Sequence, residues 1–483
     1  MNDHEMEQRL RGWYGAEIDQ GDAAPSVLRA AVMAIPTEAS RSWLRGRRPT
    51  LLLVAAISAV GIAGALAIGS DLLPKPDVAP KPSNGFAIMP STSPQPSPAE
   101  PTTGPAFEQG FRSIGSMAVP RFQHTATLLA DGRVLIVGGT SLEQRHLSTT
   151  EIWDPTTERI TIGQPLRVGR FGHGATLLAD GSVLIVGGVV AGDPEERGTR
   201  EIELWDPATG IFRAAGRTTL PHTSSLSTVL LADGRVLIIG GVNCGSLRDA
   251  PPSEREARLI CMQQQLMTET WDPVTESVTA AGFLKEDHDW ASATLLDDGR
   301  VFVLGGGGLP TIGAEVWDPA TRAWSRGGRP GNDRLGGQTA TLLPDGRVLV
   351  VGGQTGTLNG DTFQPPLSSA EIWHPATSSF SPAGSMQLGR ERHTATILAD
   401  GRVLVVGGVG APAADFSDTS IAQAEVWDPA TGSFTDAGLA ATGRTLHTAT
   451  RLQDGRVLIT GGFVRTDRGE PIEDTASAET WAP

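Results

Sequence analysis

Leu129–Gly139, LADGRVLIVGG, recurs in seven related copies and governs how the rest of the sequence is interpreted. It has the form of a strand end, a tight Asp-Gly turn, a second apolar strand and a closing diglycine. The copies are spaced 47 to 65 residues apart. Their aspartates are Asp131, Asp180, Asp233, Asp298, Asp345, Asp400 and Asp454. Self-similarity at this period predicts a fold built from repeated units.

Each copy is followed by a variable loop and a third strand that ends in tryptophan. The tryptophans are Trp153, Trp205, Trp271, Trp317, Trp373, Trp427 and Trp481. The residues after them, as in WDPATG at Trp205–Gly210, predict a turn. The Asp side chain can cap it, Pro fixes φ, and Gly permits the backbone conformation that reverses the chain. A fourth strand then completes a four-stranded antiparallel unit, which is one blade of a β-propeller. We expect each tryptophan to pack between neighbouring blades.

The diglycine that closes the second strand, with an aromatic residue on the third, resembles the kelch repeat. The resemblance covers residues 107 to 483 and implies an all-β, seven-bladed kelch-type propeller. A WD repeat fits less well, because its period is shorter and it lacks the diglycine. The sequence departs from the kelch pattern in one respect: the usual Tyr-Trp pair is replaced by the single tryptophan of the third strand.

The two ends of the repeat region predict how the ring closes. The last unit, ending in AETWAP, stops after its third strand, whereas FEQGFRSIGSM at Phe107–Met117 is a fourth strand without a blade. Joining the two completes the seventh blade and removes the exposed strand edges. We therefore expect a monomeric propeller over residues 106–483.

The chain before the repeats predicts a membrane anchor. Residues 51–68, LLLVAAISAVGIAGALAI, carry no charge, and residues 50–70 are long enough to cross a bilayer as a helix. Four arginines between residues 41 and 48 precede this segment, which predicts that residues 1–48 are cytoplasmic and the propeller extracellular, in a single-pass protein of the cell membrane. Residues 71–105 contain ten prolines and predict an extended linker. A signal peptide cleaved after Ala65-Leu66-Ala67 is the alternative.

Composition narrows the range of partners and cofactors. The net charge of −15 makes nucleic acid an unsuitable partner. With two cysteines, the chain cannot build a Cys-based zinc site or an iron–sulfur cluster, and we expect no cofactor. Cys244 and Cys261 fall in the longest loop, where an extracellular location predicts a disulfide. Arginine makes up 36 of the 39 basic residues, which is typical of a high-GC bacterium.

Arginine and histidine recur together where the first strand of a blade begins. The pairs are Arg121 and His124, Arg170 and His173, Arg390 and His393, and Arg444 and His447. At the channel mouth they could bind an anion or a sugar acid, or the imidazoles could bind a metal. A pair repeated in most blades more often serves the blade itself. Blade three has Thr223 and Leu226 at these places.

Blade four begins differently, with EDHDW at Glu286–Trp290. Asp287, His288 and Asp289 could bind a divalent cation or act in acid–base chemistry, and Trp290 could stack on a sugar. A solvated loop is the plainer interpretation. We place the ligand face on this rim, because its loops vary while the Asp-Gly rim is monotonous.

The galactose oxidase and glyoxal oxidase group has this type of propeller, but its copper site needs two tyrosines. The chain has one tyrosine, Tyr14, on the predicted cytoplasmic side, so the resemblance does not carry that activity over. We expect a membrane-tethered module that binds an extracellular protein or glycan without catalysis. The alternatives are a carbohydrate-active enzyme that uses His288 and the channel residues, and the sensor of a regulator resembling transmembrane anti-sigma factors.

Overall fold

The computed structural model of the chain describes residues 109–192, 198–224, 226–242, 255–288, 290–306, 313–355, 365–410, 419–465 and 473–483. The predicted cytoplasmic segment, membrane helix and proline-rich linker lie outside these residues. Within the described ranges, no helix combines the length and apolarity that crossing a bilayer requires.

The described residues form seven four-stranded antiparallel sheets, the blades of a propeller. Strand β1 (Gly110–Ser116) belongs to the last blade. Blade one contains β2 (Thr125–Leu128), β3 (Val134–Val137), β4 (Thr150–Asp154) and β5 (Arg159–Ile162). Blade two contains β7 (Gly174–Leu177), β8 (Val183–Val186), β10 (Thr199–Trp205) and β11 (Phe212–His222), and the short strands β6 (Arg170–Phe171) and β9 (Val189–Val190) pair beside it.

Blades three to five follow the same order. Blade three contains β12 (Ser227–Leu230), β13 (Val236–Ile239), β14 (Met267–Asp272) and β15 (Ser277–Phe283), with helix α1 (Arg255–Gln265) between β13 and β14. Blade four contains β16 (Ser292–Leu295), β17 (Val301–Leu304), β18 (Glu315–Asp318) and β19 (Ala323–Arg326). Blade five contains β20 (Thr339–Leu342), β21 (Val348–Val351), β22 (Ser369–His374) and β23 (Ser379–Ser385).

The last two blades each carry an additional two-stranded ribbon. Blade six contains β24 (Thr394–Ile397), β25 (Val403–Val406), β28 (Gln423–Asp428) and β29 (Ser433–Leu439), with the ribbon β26 (Val409–Gly410) and β27 (Thr419–Ser420). Blade seven contains β30 (Thr448–Arg451), β31 (Val457–Thr460) and β34 (Ser477–Ala482), with the ribbon β32 (Phe463–Val464) and β33 (Glu473–Asp474).

Strand β1 completes blade seven by pairing antiparallel with β34, which confirms the predicted closure. Phe111 lies opposite Trp481 in this pair. The first strands of all seven blades contact one another in a closed ring around the axis. The all-β, seven-bladed propeller expected from the sequence is therefore the fold of the described residues.

The hydrophobic core lies between the blades, which explains why every second strand is an unbroken apolar run. In β13, Leu237 and Ile239 pack into a cluster with blade four, whereas Val236 and Ile238 pack into a cluster with blade two. A strand between two sheets has no solvated face, so its apolar residues do not alternate with polar ones. All four residues of each second strand are buried.

The seven tryptophans are buried at these interfaces, as their repetition predicts. The indole N–H of Trp317 donates to the carbonyl of Ala281, on the fourth strand of the preceding blade, at 2.8 Å. Trp271, Trp373, Trp427 and Trp481 make the corresponding bond to the blade before them. Each of these five indoles thus fills an interface and satisfies its own donor there.

Both repeated turns take the conformations that their residues favour. Asp428 accepts the Ala430 N–H at 2.8 Å in the WDPATG turn, and Gly432 has a φ of 64°. Asp131 accepts the Arg133 N–H at 3.0 Å in the Asp-Gly turn. Because these turns join strands one to two and three to four, they lie on one rim. The loops between strands two and three and the blade-to-blade connections lie on the other.

Helix α1 carries Cys261, whose side chain is buried. The other cysteine of the chain, Cys244, lies outside the described residues. The predicted Cys244–Cys261 disulfide stays a prediction.

Candidate functional site

A buried ion pair fixes the start of the first strand in most blades. In blade six, the Arg390 guanidinium contacts the Glu425 carboxylate at 2.6 Å, and both side chains are fully buried. Arg390 also donates to the carbonyls of Gly407 and Gln423, at 3.2 and 2.9 Å. The second Glu425 oxygen accepts the Gln387 N–H at 2.9 Å. The pair therefore links the segment that leads from blade five into blade six to the third strand of blade six.

The pair recurs around the ring, and its glutamate was not recognised from the sequence. The arginine pairs are Arg121–Glu151, Arg170–Glu203, Arg334–Glu371, Arg390–Glu425 and Arg444–Glu479. Burial is the largest influence on the pKa of each arginine and lowers it, while the glutamate opposes the shift. The missed signal is a glutamate two residues before each of the seven tryptophans.

Blades three and four build the same contact with histidine. His222 Nε2 lies 3.0 Å from Glu269, and His288 Nε2 lies 3.1 Å from Glu315. In each case Nδ1 contacts the carbonyl of the first glycine of the diglycine, as the arginine does elsewhere. The arginine position of blade three is therefore His222 and not Thr223, which corrects the assignment made from the sequence.

The residues of EDHDW that were predicted to form one site lie in different environments. His288 is 1% exposed, and both of its ring nitrogens contact protein oxygens. Glu286 accepts the Gly313 N–H at 3.2 Å, and Asp287 is partly buried. Asp289 lies outside the described residues. Among the residues that the structure describes, no group of three or more His, Cys, Asp or Glu side chains is placed to hold a metal.

The four predicted channel histidines bridge neighbouring first strands. His393 Nε2 lies 3.0 Å from Thr339 Oγ1 of the preceding blade. The corresponding contacts are His124 with Thr448, His173 with Thr125, and His447 with Thr394. All four histidines are about 95% buried. Together with the buried arginines, this placement favours a structural role for the repeated pairs.

The histidines also explain the diglycine. A Cβ on Gly352 would lie 2.8 Å from His393 Cε1 and 2.4 Å from the Arg390 carbonyl. Gly352 and the next residue, Gly353, both have positive φ, at 60° and 102°. Only glycine combines that backbone with so close an approach. The same pattern holds for Gly407 against His447 and Gly461 against His124.

These histidines are neutral at physiological pH. Burial, followed by the charge of the adjacent arginine, lowers the pKa of His173 and of His447 to about 3. The same two causes, with further charge from neighbouring histidines, lower the pKa of His124 and of His393 well below the usual value.

In six blades the residue before the histidine position lies at the channel mouth and has a left-handed backbone, whereas the corresponding residue of blade three, Ser225, lies outside the described residues. The φ values in the six blades are 51° at Gln123, 65° at Gly172, 61° at Trp290, 69° at Gly337, 53° at Arg392 and 55° at Leu446. Backbone hydrogen bonds join several of these positions, such as Gly172 N–H to the Gln123 carbonyl at 2.8 Å. The ring thus presents side chains of different chemistry on a common backbone frame.

A cavity of about 250 Å³ opens among these positions, lined by Trp290, Gly337, Arg392 and Leu446. Trp290 is 40% exposed, and the guanidinium carbon of Arg392 lies 5.7 Å from the centre of its ring. Gly337 adds no side chain beside them. We call Trp290, Arg392 and Leu446 the channel-mouth site.

Comparison with known proteins agrees with this architecture. Residues 338–387 match the family described as Kelch motif. The fold is a seven-bladed β-propeller in which residues 338–387 match the kelch motif.

Two curated relatives of this propeller are distant from it in sequence. Two galactose oxidases of Gibberella zeae are 26% identical over 298 residues, which are 57% of this chain and 39% of theirs. The chain thus spans about two fifths of the length of these curated relatives. A solved structure of a fungal alcohol oxidase of the AA5 family, in complex with copper, superposes with a TM-score of 0.56 at 17% identity, covering 78% of this chain and 76% of that one.

The described residues of the propeller do not fit a copper ion. The Nε2 atoms of the four channel histidines are all engaged by threonine hydroxyls, and no described group offers three metal ligands. Tyr14, the only tyrosine of the chain, lies outside the described residues.

Proposed function

We propose that this kelch propeller is a binding module that recognises an extracellular glycan or protein at its channel-mouth site. The observation that carries the proposal is Trp290, a large aromatic side chain that remains exposed in a ring where five other blades place Gln, Gly, Arg or Leu. Polar and apolar groups that differ from blade to blade, held on a rigid frame, are typical of recognition surfaces.

The chemistry of the channel-mouth site suits a sugar ring or a single protruding side chain. The exposed part of the Trp290 indole offers an apolar stacking surface, and Arg392, whose guanidinium lies over the ring, offers hydrogen-bond donors next to it. A carboxylate oxygen of Glu391 lies 3.7 Å from Arg392 Nε and offsets part of its charge. The cavity, at about 250 Å³, is close to the lower limit of about 300 Å³ for ligand pockets. One residue of a larger ligand would fill it.

The location that we propose is the outer surface of a bacterial cell membrane. It is supported by the uncharged segment at residues 50–70, the arginines before it and the proline-rich stretch after it. Protease treatment of intact cells tests it. Digestion of the propeller while residues 1–48 stay protected is expected, and protection of the propeller would contradict it.

A glycan array and a surface-protein extract, probed with the purified full-length chain and with Trp290→Ala, test the function. The control is Val274→Ala, which changes an exposed apolar residue in a turn on the opposite rim. We expect Trp290→Ala to weaken binding by about tenfold or more, the usual effect of removing an aromatic anchor, and Val274→Ala to leave it unchanged. Equal binding by both variants would place the ligand elsewhere, and turnover of a sugar would support the enzyme alternative.

A further inference from the structure

A second cavity lies outside the channel, beside the third and fourth strands of blade four. Its volume is about 380 Å³. It is bounded by the connection into blade four, the start of β18, and the connection out of β19. Strand β19 has four residues, like β5 of blade one, whereas β15, β23 and β29 have seven each, so the outer edge of this blade ends early.

Three cationic side chains line this cavity: Lys285, Arg326 and Arg329. Such a concentration is unusual in a chain with a net charge of −15. Lys285 is also the only lysine after residue 81, since every other basic residue of the repeat region is arginine. Lys285 lies two residues after the end of β15, and Arg326 is the last residue of β19, so the two strands fix both backbones.

The anionic groups at the cavity are largely engaged by other partners. Glu315 accepts the N–H groups of Lys285 and Glu286, each at 2.9 Å, and contacts His288 at 3.1 Å. Glu286 accepts the Gly313 N–H at 3.2 Å and lies 3.6 Å from Arg326.

Two of the cations have carboxylate neighbours. Arg329 contacts Asp333 at 3.1 Å, and Arg326, whose side chain is 80% exposed, lies 3.6 Å from Glu286. For the Lys285 ammonium, no ion pair is formed with any residue that the structure describes.

We propose that this cavity, the blade-four pocket, binds an oxyanion, that is, a sulfate, phosphate or carboxylate group of a ligand. Lys285 supplies a compact charge with three donors, and Arg326 and Arg329 supply planar donor pairs. The site is separate from the channel-mouth site and does not depend on the function proposed for it. It shares only the connection Leu284–Ala291, whose first part lines the pocket and whose Trp290 lines the channel.

The small number of lysines makes a direct measurement possible. Reductive methylation with ¹³C-formaldehyde labels the α-amino group and the three lysines of the full-length chain, Lys75, Lys81 and Lys285. It preserves their charge and leaves each dimethylammonium with one N–H donor. The variant Lys285→Arg identifies the signal of residue 285. Titration with sodium sulfate is expected to shift that signal saturably and to leave the other signals in place. Sodium chloride at the same ionic strength is the control, and a chloride shift of equal size would overturn the proposal.

Two variants of opposite sign separate binding from a structural effect. Arg326→Gln should weaken sulfate binding about tenfold, because it removes a charge-assisted hydrogen bond. Glu286→Gln should strengthen it, since it removes a repelling carboxylate while its amide oxygen still accepts the Gly313 N–H. Arg217→Gln removes an exposed arginine of β11 and should change nothing.

The choice of anion identifies the ligand group. Titrations with sodium phosphate and sodium acetate, run beside sulfate, show whether the pocket prefers a tetrahedral oxyanion or a carboxylate. Saturable binding of any one of them supports the proposal. Absence of binding by all three, or a change in the same direction for Arg326→Gln and Glu286→Gln, contradicts it.

Discussion

The imidazole of His288 contacts the carboxylate of Glu315 at 3.1 Å, in the place where five other blades put a guanidinium. At this position blade four therefore keeps the buried contact and replaces only the arginine with histidine. Blade four differs from the other blades in the residues before and after His288, namely Lys285 at the blade-four pocket and Trp290 at the channel. A His288→Ala variant would consequently report on folding before it reported on ligand chemistry.

Removing one partner of a buried ion pair should destabilise the propeller strongly. In Arg390→Ala, Glu425 stays buried without its cation, and we expect a loss of about 3–5 kcal/mol in the free energy of unfolding. Arg390→His should cost less, because blades three and four already pair histidine with the equivalent glutamate. Urea unfolding followed by fluorescence measures both. Equal losses for the two variants would show that histidine cannot serve in this blade.

The buried histidines predict a loss of stability in acid. The pKa of His173 and of His447 is about 3 in the folded protein and about 6.5 when unfolded, so the unfolded chain binds more protons between these values. The stability associated with these two neutral histidines is fully present above pH 6.5, and the free energy of unfolding decreases as the pH falls toward 3. His447→Gln should flatten this part of the stability profile, since Gln338 occupies the equivalent position in blade five. An unchanged slope between pH 6.5 and 4 in this variant would rule the explanation out.

The diglycine should tolerate no side chain at its first position. In Gly352→Ala, the new methyl group meets His393 and the Arg390 carbonyl and also strains a positive φ, so we expect a loss of more than about 2 kcal/mol. Gly432→Ala is the matched control. It also has a positive φ, but a Cβ there would meet nothing within 4 Å, and other blades hold glutamate, arginine or serine at that place. A loss of about 1 kcal/mol or less is expected there. Similar melting temperatures for the two variants would contradict the packing argument.

Deleting β1 should open the ring. Strand β34 would keep its pairing with β31 but lose β1 and so become an exposed edge, and Ile114 and Met117 would leave the cluster around Trp153. The comparison is between the full chain and the same chain lacking residues 110–117, with a deletion of residues 99–105 as control. We expect a lower melting temperature and a tendency to associate only for the first deletion. An unchanged melting temperature would show that closure contributes no stability.

Local and repeated features were predictable from the sequence because every blade forms the same turns and the same interface with the same residue types. The Asp-Gly and WDPATG turns, the apolar second strand and the interfacial tryptophan depend on near neighbours in the chain, so their patterns are visible in one copy and are reinforced by six others. The closing strand was predictable too, because a missing fourth strand at one end matched a spare one at the other.

Tertiary structure alone decided what the arginines, glutamates and histidines do. Arg390 and Glu425 are 35 residues apart, and His447 contacts a threonine of the preceding blade 53 residues away, so no local pattern states which groups meet or how deeply they are buried. The sequence determined that blade four differs from the rest. Only the packing of the blades decided that His288 is enclosed while Trp290 and Lys285 face open cavities, because exposure depends on what the neighbouring blades cover.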